Sequence, residues 1–372
     1  MLTLVGSLPG RARCCVTSWT LLPDVMDRYK RLLSHLWGAT TALESQARRL
    51  TRLCLGSLLG LLCLVLVLRT FRWEQFKHDL ASLELPWILA ALCAFAVEYT
   101  CRIERWRKML QHENATARWI DCAGPLLASY AANSVLPFRA GDILRTFGFE
   151  QILGASAGVV VATLVVERLL DMVVLIAALC FVFVHFGIGV FGNRAVGMFL
   201  LTTAALLSLL LLVFPKLLEP ICLRLSRLLR LLAPKMAERL IPEIQKGLHA
   251  FSTITGRQQV LYLLALSIVA WICEGYIFWF AARALPSLTF PSASWIALPL
   301  GALSTLIPSA PGYVGTFEYT VVQAMTMTGN TSSAATTYSF LVHGLLSLPS
   351  ILAGGLYLFL HFTRHSTVIA DP

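Results

Sequence analysis

Charge is scarce in this chain. Only 13% of its 372 residues are Asp, Glu, Lys or Arg, where a soluble globular domain carries about 25%. No stretch outside the apolar runs is long enough to bury a core of its own, which excludes a separate soluble catalytic domain. The ten cysteines include no Cys-x-x-Cys pair and no Cys/His ligand cluster, so neither a metal site nor a disulfide scaffold is expected. Most of them lie in apolar runs, where a thiol acts as a small hydrophobe. No activated Ser or Cys, phosphate-binding loop or pair of carboxylates in an aqueous cleft is recognisable, and no cofactor is expected. A proper secretory pattern is missing too. Arg11 and Arg13 are followed by no long apolar region or cleavage site. Residues 1–25 therefore read as a disordered leader, or as a consequence of start-codon choice, with Met26 opening a more structured segment.

What the chain has in abundance is apolar surface: 57% of residues are hydrophobic, with a mean hydropathy of +0.72. They come in runs that only a bilayer can host. Clean or nearly clean runs are Leu53–Leu68, Pro86–Cys101, Ala155–Phe186, Val196–Phe214, Val260–Ala284 and Ala334–Phe362. Two further stretches, 120–150 and 293–328, are broken by proline and glycine. As a single helix, Ala155–Phe186 would be roughly 45 Å long, more than a hydrocarbon core needs, so it must tilt, kink or protrude. Residues 26–50 place Tyr29, Leu32, Leu33, Leu36 and Trp37 on one helical face beside Arg28, Lys30 and Arg31. That pattern suits an interfacial helix, or a cytoplasmic helix packed on the bundle. The segment 215–258 is basic and amphipathic, with an apolar stripe of Leu217, Ile221, Leu225, Leu228 and Leu232.

The net charge of +10 comes mainly from connections beside apolar runs, with no nucleic-acid recognition motif. It reads as topology and anionic-lipid contact rather than nucleic-acid binding. Basic residues crowd the N-terminal region (Arg28, Lys30, Arg31, Arg48, Arg49, Arg52), the 102–118 connection (Arg102, Arg105, Arg107, Lys108, Arg118) and 216–257, all expected on the cytoplasmic side. The nearly uncharged 187–195 and 285–292 connections are expected outside. An odd number of crossings must then separate residue 118 from residue 190. A re-entrant dip at 120–150 followed by one span satisfies this, as do three spans. The turn holds Arg139, Asp142 and Arg145, which favours the dip, because irregular backbone at membrane depth must line a wet cavity or lie buried in protein.

The fold expectation is therefore an all-α polytopic membrane protein. Its domain, 51–362, reads as two inverted repeats, 51–186 and 195–362, each with three spans and one re-entrant broken hairpin. Residues 363–372 form a cytoplasmic tail. A sequence echo accompanies the repeat: Leu136-Pro137-x-x-x-Gly141 and Ile307-Pro308-x-x-x-Gly312, each followed by a Thr-Phe pair, Thr146-Phe147 and Thr316-Phe317.

Three constellations could carry chemistry. The first joins Asn133, Pro137, Arg139, Gly141, Asp142 and Arg145. Pro137 stops a helix and Gly141 permits the turn or a close backbone approach. Arg139 and Arg145 offer guanidinium forks for a phosphate, with Asp142 placed to hold one of them. The plainer alternative is an Arg–Asp bridge that pins the hairpin. The second is Glu167, Arg168 and Asp171 in the middle of a long apolar run. Glu167 and Asp171 share a helical face and Arg168 can reach Asp171. They form either a self-neutralising cluster facing the bundle interior or the lining of a polar cavity. The third comprises Pro308, Pro311, Gly312, Gly315, Thr316 and Glu318. Prolines and glycines end one half-helix and begin another, with Thr316 as its N-cap and Glu318 in its first turn. A turn needed only for folding is the alternative. Glu98 and Glu274, alone in apolar runs, are either proton-coupling sites or partners of an arginine on a neighbouring helix. His185 and His343 read as packed side chains rather than ligands.

These three strings, Asn133-x-x-Leu136-Pro137-x-Arg139-x-Gly141-Asp142-x-x-Arg145, Glu167-Arg168-x-x-Asp171 and Pro308-x-x-Pro311-Gly312-x-x-Gly315-x-x-Glu318, together with Arg105-Trp106, resemble the flippase-like membrane domain of lysylphosphatidylglycerol synthases over roughly residues 50–362. The resemblance implies a lipid-translocating domain in a bacterial inner membrane, and the basic connections with the crossing parity put both termini on the cytoplasmic side. In the bifunctional synthases an aminoacyl-transfer domain follows. Here only ten residues follow Phe362, so the chain reads as a stand-alone member that synthesises no aminoacyl lipid. The expected function is a flippase for a lipid with a phosphate-bearing headgroup, hopanoid- and polyprenyl-linked lipids included. Asn133, Arg139, Asp142, Arg145, Glu167, Arg168, Asp171, Thr316 and Glu318 would line its path. The alternatives are a membrane-embedded lipid-modifying transferase and a non-catalytic scaffold. Membrane lipids are the expected partners, and a second copy of the chain and lipid-biosynthesis enzymes are the protein partners open to it.

Overall fold

Every described segment with regular structure is helical. The computed structural model describes residues 58–69, 71–186, 194–307 and 309–369. The leader, the 26–50 helix, the start of the first apolar run, most of the 187–195 connection and Pro308 lie outside the described residues. The helices are α1 Leu58–Leu68, α2 Trp73–Ala81, α3 Leu85–Leu110, α4 Trp119–Val135, α5 Ala140–Phe147, α6 Glu150–Leu153, α7 Ala157–Phe186, α8 Arg194–Val213, α9 Glu219–Leu232, α10 Pro234–Ile254, α11 Arg257–Arg283, α12 Ser294–Ser304, α13 Thr316–Thr326 and α14 Ser332–Ile369. The last runs past Phe362, so the segment read as a tail begins as helix.

Three of these helices are long and apolar enough to cross a bilayer: α3, α11 and the Ser332–His361 part of α14. A fourth span is added if Leu201–Val213 and Pro215–Leu232, which meet at 100°, count as one bent crossing. The outer face of α14 shows why a bilayer is required. Leu348, Leu352, Leu356 and Phe359 recur every three or four residues and are each more than half exposed. Such a stripe is stable against lipid and not against water. The bend at Pro215 falls where proline removes a backbone donor. Beyond it, α9 exposes Ile221, Leu225, Leu228 and Leu232 beside Arg224, Arg227 and Arg230, the amphipathic pattern expected from sequence.

Close helix contacts are made by residues without bulk. A Cβ on Gly354 of α14 would stand 2.2 Å from the Leu127 carbonyl oxygen of α4, and one on Gly158 of α7 would stand 2.0 Å from that of Glu243 on α10. Both are backbone approaches that only glycine allows. The Glu243 carboxylate also accepts the Gly158 N–H at 2.8 Å. A hydrogen bond from Lys246, aided by that N–H, holds the Glu243 carboxyl below its ordinary value.

The two broken stretches form helix–turn–helix pairs. In the first, α4 ends at Val135 and Leu136 is extended (φ −99°, ψ 147°), the conformation that a following proline imposes. Pro137–Arg139 make one tight turn, and α5 folds back on α4. Gly141 is required for this approach, since a Cβ there would lie 1.9 Å from the Ser129 carbonyl oxygen. In the second, α12 and α13 flank the turn Pro311–Tyr313, where Gly312 has φ 66° and Gly315 φ 94°. Two bulky residues also adopt left-handed backbone, Arg139 (φ 52°) and Tyr313 (φ 60°), at roughly 1–2 kcal/mol each. The two turns touch one another. Neighbour relations recur in exchanged form: α3 packs on α11, α4 on α14 as α12 on α7, and α5 on α7 as α13 on α14.

Gly141→Ala should lower the melting temperature of the detergent-purified protein, with a loss of about 1–3 kcal/mol from overpacking. Gly355→Ala, where an added Cβ meets nothing within 4 Å, should leave it unchanged. Equal melting of the two variants would contradict the close α4–α5 packing.

Candidate functional site

A charged side chain in a low-dielectric interior persists only with a partner. Here the partners come from five helices. On α7, Glu167 and Asp171 both turn inward, as their four-residue spacing implied. Arg105 of α3 donates from Nη1 to Asp171 Oδ1 at 2.6 Å and to Ser267 Oγ of α11 at 2.7 Å, and lies 3.7 Å from Glu167. Arg145 of α5 donates to Glu167 Oε2 at 3.1 Å. Its guanidinium lies over the Trp106 ring, 3.8 Å from the centroid, and Trp106 Nε1 in turn donates to Thr163 Oγ1 at 3.0 Å. The Tyr130 hydroxyl of α4 and Trp271 Nε1 of α11 donate to Glu167 and Asp171 at 3.2 and 3.1 Å. Arg168 reaches Asp171 only at 3.9 Å and Glu167 at 3.3 Å.

A second group joins this one at the α3–α11 crossing. Arg102 donates from Nε to Glu98 Oε1 and from Nη2 to Glu274 Oε2, each at 2.6 Å. The two isolated acids are thus partners of the same arginine.

The first motif divides. Arg145 is 1% exposed and belongs to the ion-pair network. Asp142 does not grip either arginine at ion-pair distance among the described residues. It accepts a hydrogen bond from Asn133 Nδ2 at 3.0 Å, which ties α5 to α4. Arg139 donates from Nε to the Tyr313 hydroxyl at 3.0 Å, so the first turn is linked to the second. No carboxylate stands within ion-pair distance of Arg139 among the described residues.

Thr316 is not the N-cap of α13 but its first residue. Gly315 takes the cap position, where the φ of 94° suits glycine and not threonine. Thr316 Oγ1 lies 3.0 Å from Ser309 Oγ and 3.1 Å from the Tyr313 carbonyl oxygen. The Gly315 N–H donates to Glu318 Oε2 at 2.6 Å, and the other Glu318 oxygen meets Nδ1 of His343. Both Glu318 oxygens are therefore engaged within the protein.

Between these groups lies a cavity of about 190 Å³ whose polar wall includes Glu98, Arg102, Arg139, Arg168, Asp171 and Glu274. A neighbouring one of about 230 Å³ lies between the two turns, lined by Asn133, Pro137, Ser309, Gly312 and Tyr313 among others. Arg139, Thr305 and Leu306 border both. Arg168, with 34% of its side chain exposed, and Arg139 are the cations offered to this space with least internal commitment. No group of three or more potential metal-ligating acids, histidines or cysteines occurs among the described residues.

Sequence reasoning missed Arg102 and Arg105 as network members and placed them in a basic cytoplasmic connection. They belong instead to the last three turns of α3, both at most 8% exposed. The spacing held the signal. Glu98, Arg102 and Arg105 recur at four and three residues, which puts them on one face, whereas Glu104 and Arg107 pair with each other at 2.6 Å. His343, Tyr130, Trp271 and Tyr313 had no such signal, because their partners come from distant helices.

Arg105→Ala should destabilise the protein by about 3–5 kcal/mol, because it leaves Asp171 buried without its cation. Adding Asp171→Ala should recover part of the loss in thermal unfolding. Strictly additive losses would show that the two do not act as a pair.

No curated protein matches the chain in sequence. A family described as lysylphosphatidylglycerol synthase TM region matches residues 53–354, an interval containing every residue of the ion-pair network, both broken pairs and the whole cavity wall. This is therefore a membrane protein that belongs to the lysylphosphatidylglycerol synthase TM region family.

Proposed function

We propose that this protein carries a lipid with an anionic, phosphate-bearing headgroup across the membrane. The observation that carries the reading is the polar cavity where the two broken pairs meet, with Arg139 and Arg168 in its wall. A guanidinium fork matches phosphate oxygens in geometry and charge. A headgroup would exchange the Arg139–Tyr313 hydrogen bond for two charge-assisted ones, while the acyl chains stay in the bilayer. Arg145, Glu167, Asp142 and Asn133 then act as positioning residues, which hold α5 and the first turn against α4 and α7. No bond is made or broken in this scheme.

The reading includes two inverted repeats whose broken pairs enter the membrane from opposite faces. The exchanged neighbour relations of α3, α4, α5 and α7 with α11, α12, α13 and α14 support it, as does the crossing parity. In this arrangement both termini are cytoplasmic, in a bacterial inner membrane. The basic residues that still count toward this orientation after Arg102 and Arg105 are removed are Arg107, Lys108 and Arg118, with those of 216–257 and the N-terminal region.

Reconstituted into vesicles, the protein should scramble a fluorescently labelled phosphatidylglycerol. Arg139→Ala should slow this by about 10- to 100-fold, the equivalent of losing a charge-assisted hydrogen bond of roughly 1.5–3 kcal/mol. Absence of scrambling, or a variant as fast as the parent, would overturn the proposal. In a cysteine-free background, Glu113→Cys and Thr289→Cys should react with an impermeant maleimide from opposite sides of the membrane. Labelling from one side only would refute the inverted arrangement.

A further inference from the structure

The ion-pair network is uneven in its stoichiometry. Asp171 has Arg105 at 2.6 Å and Glu167 has Arg145 at 3.1 Å, with Arg168 beside both. At the α3–α11 crossing, a single guanidinium, Arg102, serves two carboxyl groups, Glu98 and Glu274, at equal distance. Both are at most 9% exposed. Glu98 Oε2 is buried and meets no hydrogen-bond partner among the described residues. Both side chains also line the cavity that holds Arg139 and Arg168.

One cation balances one carboxylate. A second ionised carboxylate at this depth would be uncompensated, which buried sites do not tolerate, and two carboxyl groups sharing a site do not both ionise readily. Among the described residues no cation other than Arg102 stands within ion-pair distance of Glu98 or Glu274. From α3 come Tyr99, Cys101 and Arg105, the last committed to Asp171. From α7 come Asp171, itself acidic, and Arg168, whose ion-pair contacts are with Glu167 at 3.3 Å and Asp171 at 3.9 Å and not with Glu98 or Glu274. From α4 comes Tyr130, from α11 Trp271 and Cys273, and from the first turn Arg139, bonded to Tyr313. On the α13–α14 side the Glu318–His343 pair, beside Phe317, is closed on itself. A proton on one carboxyl group satisfies the count and gives the orphaned Glu98 oxygen a hydrogen.

We infer that Glu98, Arg102 and Glu274 form a proton-binding site, one proton shared by two carboxyl groups, whose occupancy is linked to anion binding in the adjoining cavity. The sign of the linkage follows from charge. A proton here removes a negative charge from the cavity wall and strengthens anion binding, and a bound anion strengthens proton binding by the same factor. Translocation of the anionic headgroup is then coupled to a proton moving in the same direction. The coupling rests on the lipid-carrier reading, whereas the proton site rests only on the Arg102 stoichiometry.

Infrared spectroscopy of the full chain in detergent tests the site without any transport assay. A protonated carboxylic acid C=O band should be present at pH 7 and disappear in both Glu98→Gln and Glu274→Gln. Its absence from the parent protein, or its survival in both variants, would overturn the proposal. Short-chain phosphatidylglycerol then probes the linkage. Its affinity should rise about tenfold, a usual size for coupled sites, as pH is lowered from 8 to 5. In Glu274→Gln, which mimics the protonated state, it should be tight and independent of pH. The same pH response in parent and variant would overturn the linkage. Failure of the lipid to bind at any pH, with the infrared band and its loss intact, would count against the lipid-carrier reading and, with it, the coupling.

Discussion

The Arg105–Asp171 ion pair is the constraint around which the rest is arranged. It joins α3 to α7 at 2.6 Å, and Ser267 and Trp271 bring α11 to the same two side chains. In hydrocarbon none of these groups could stand alone. Removing either helix from the contact would strand a charge, so the three helices are held in one register. Apolar packing between helices in a bilayer lacks this selectivity, because lipid tails are as apolar as leucine. The network specifies where the helices sit, and the glycines at Gly354 and Gly158 let them close.

The two turns depend on that register in a different way. Arg139 and Tyr313 both occupy left-handed backbone, each at a cost that their side chains do nothing locally to relieve. They face one another where the two turns meet. Their hydrogen bond links two conformations that neither sequence segment would choose alone. Local strain held by surrounding structure is often found where a protein must change shape or receive a ligand. The adjoining cavities place it beside free space rather than in a packed core.

Much of the scaffold was legible in the sequence because its signals are local. Pro137 ends α4. Four-residue spacing placed Glu167 and Asp171 on one face. An apolar stripe beside arginines marked α9. What escaped was long-range. A run of basic residues after an apolar segment looks alike whether it forms a loop or the end of a buried helix, so Arg102 and Arg105 were misplaced. Arg139 and Arg145 looked equivalent, six residues apart in one motif. Arg139 lies in the turn before α5 begins, whereas Arg145 lies in its last turn, stacked on Trp106. The capping of α13 was misread by one residue because threonine is a common N-cap, while the left-handed backbone that selects Gly315 cannot be seen without the turn.

The contact between Gly158 and Glu243 has a mechanical side. Helix α7 starts within a residue of that point and carries Glu167 nine residues further on, about 14 Å along a rigid helix. The amphipathic pair α9–α10, which turns off from the bundle at Pro215, is thereby fastened to the same rod that carries the buried acids. The contact is backbone against backbone with no side chain between, so the amphipathic helices and the buried acids are joined through one unbroken helix rather than through a loop.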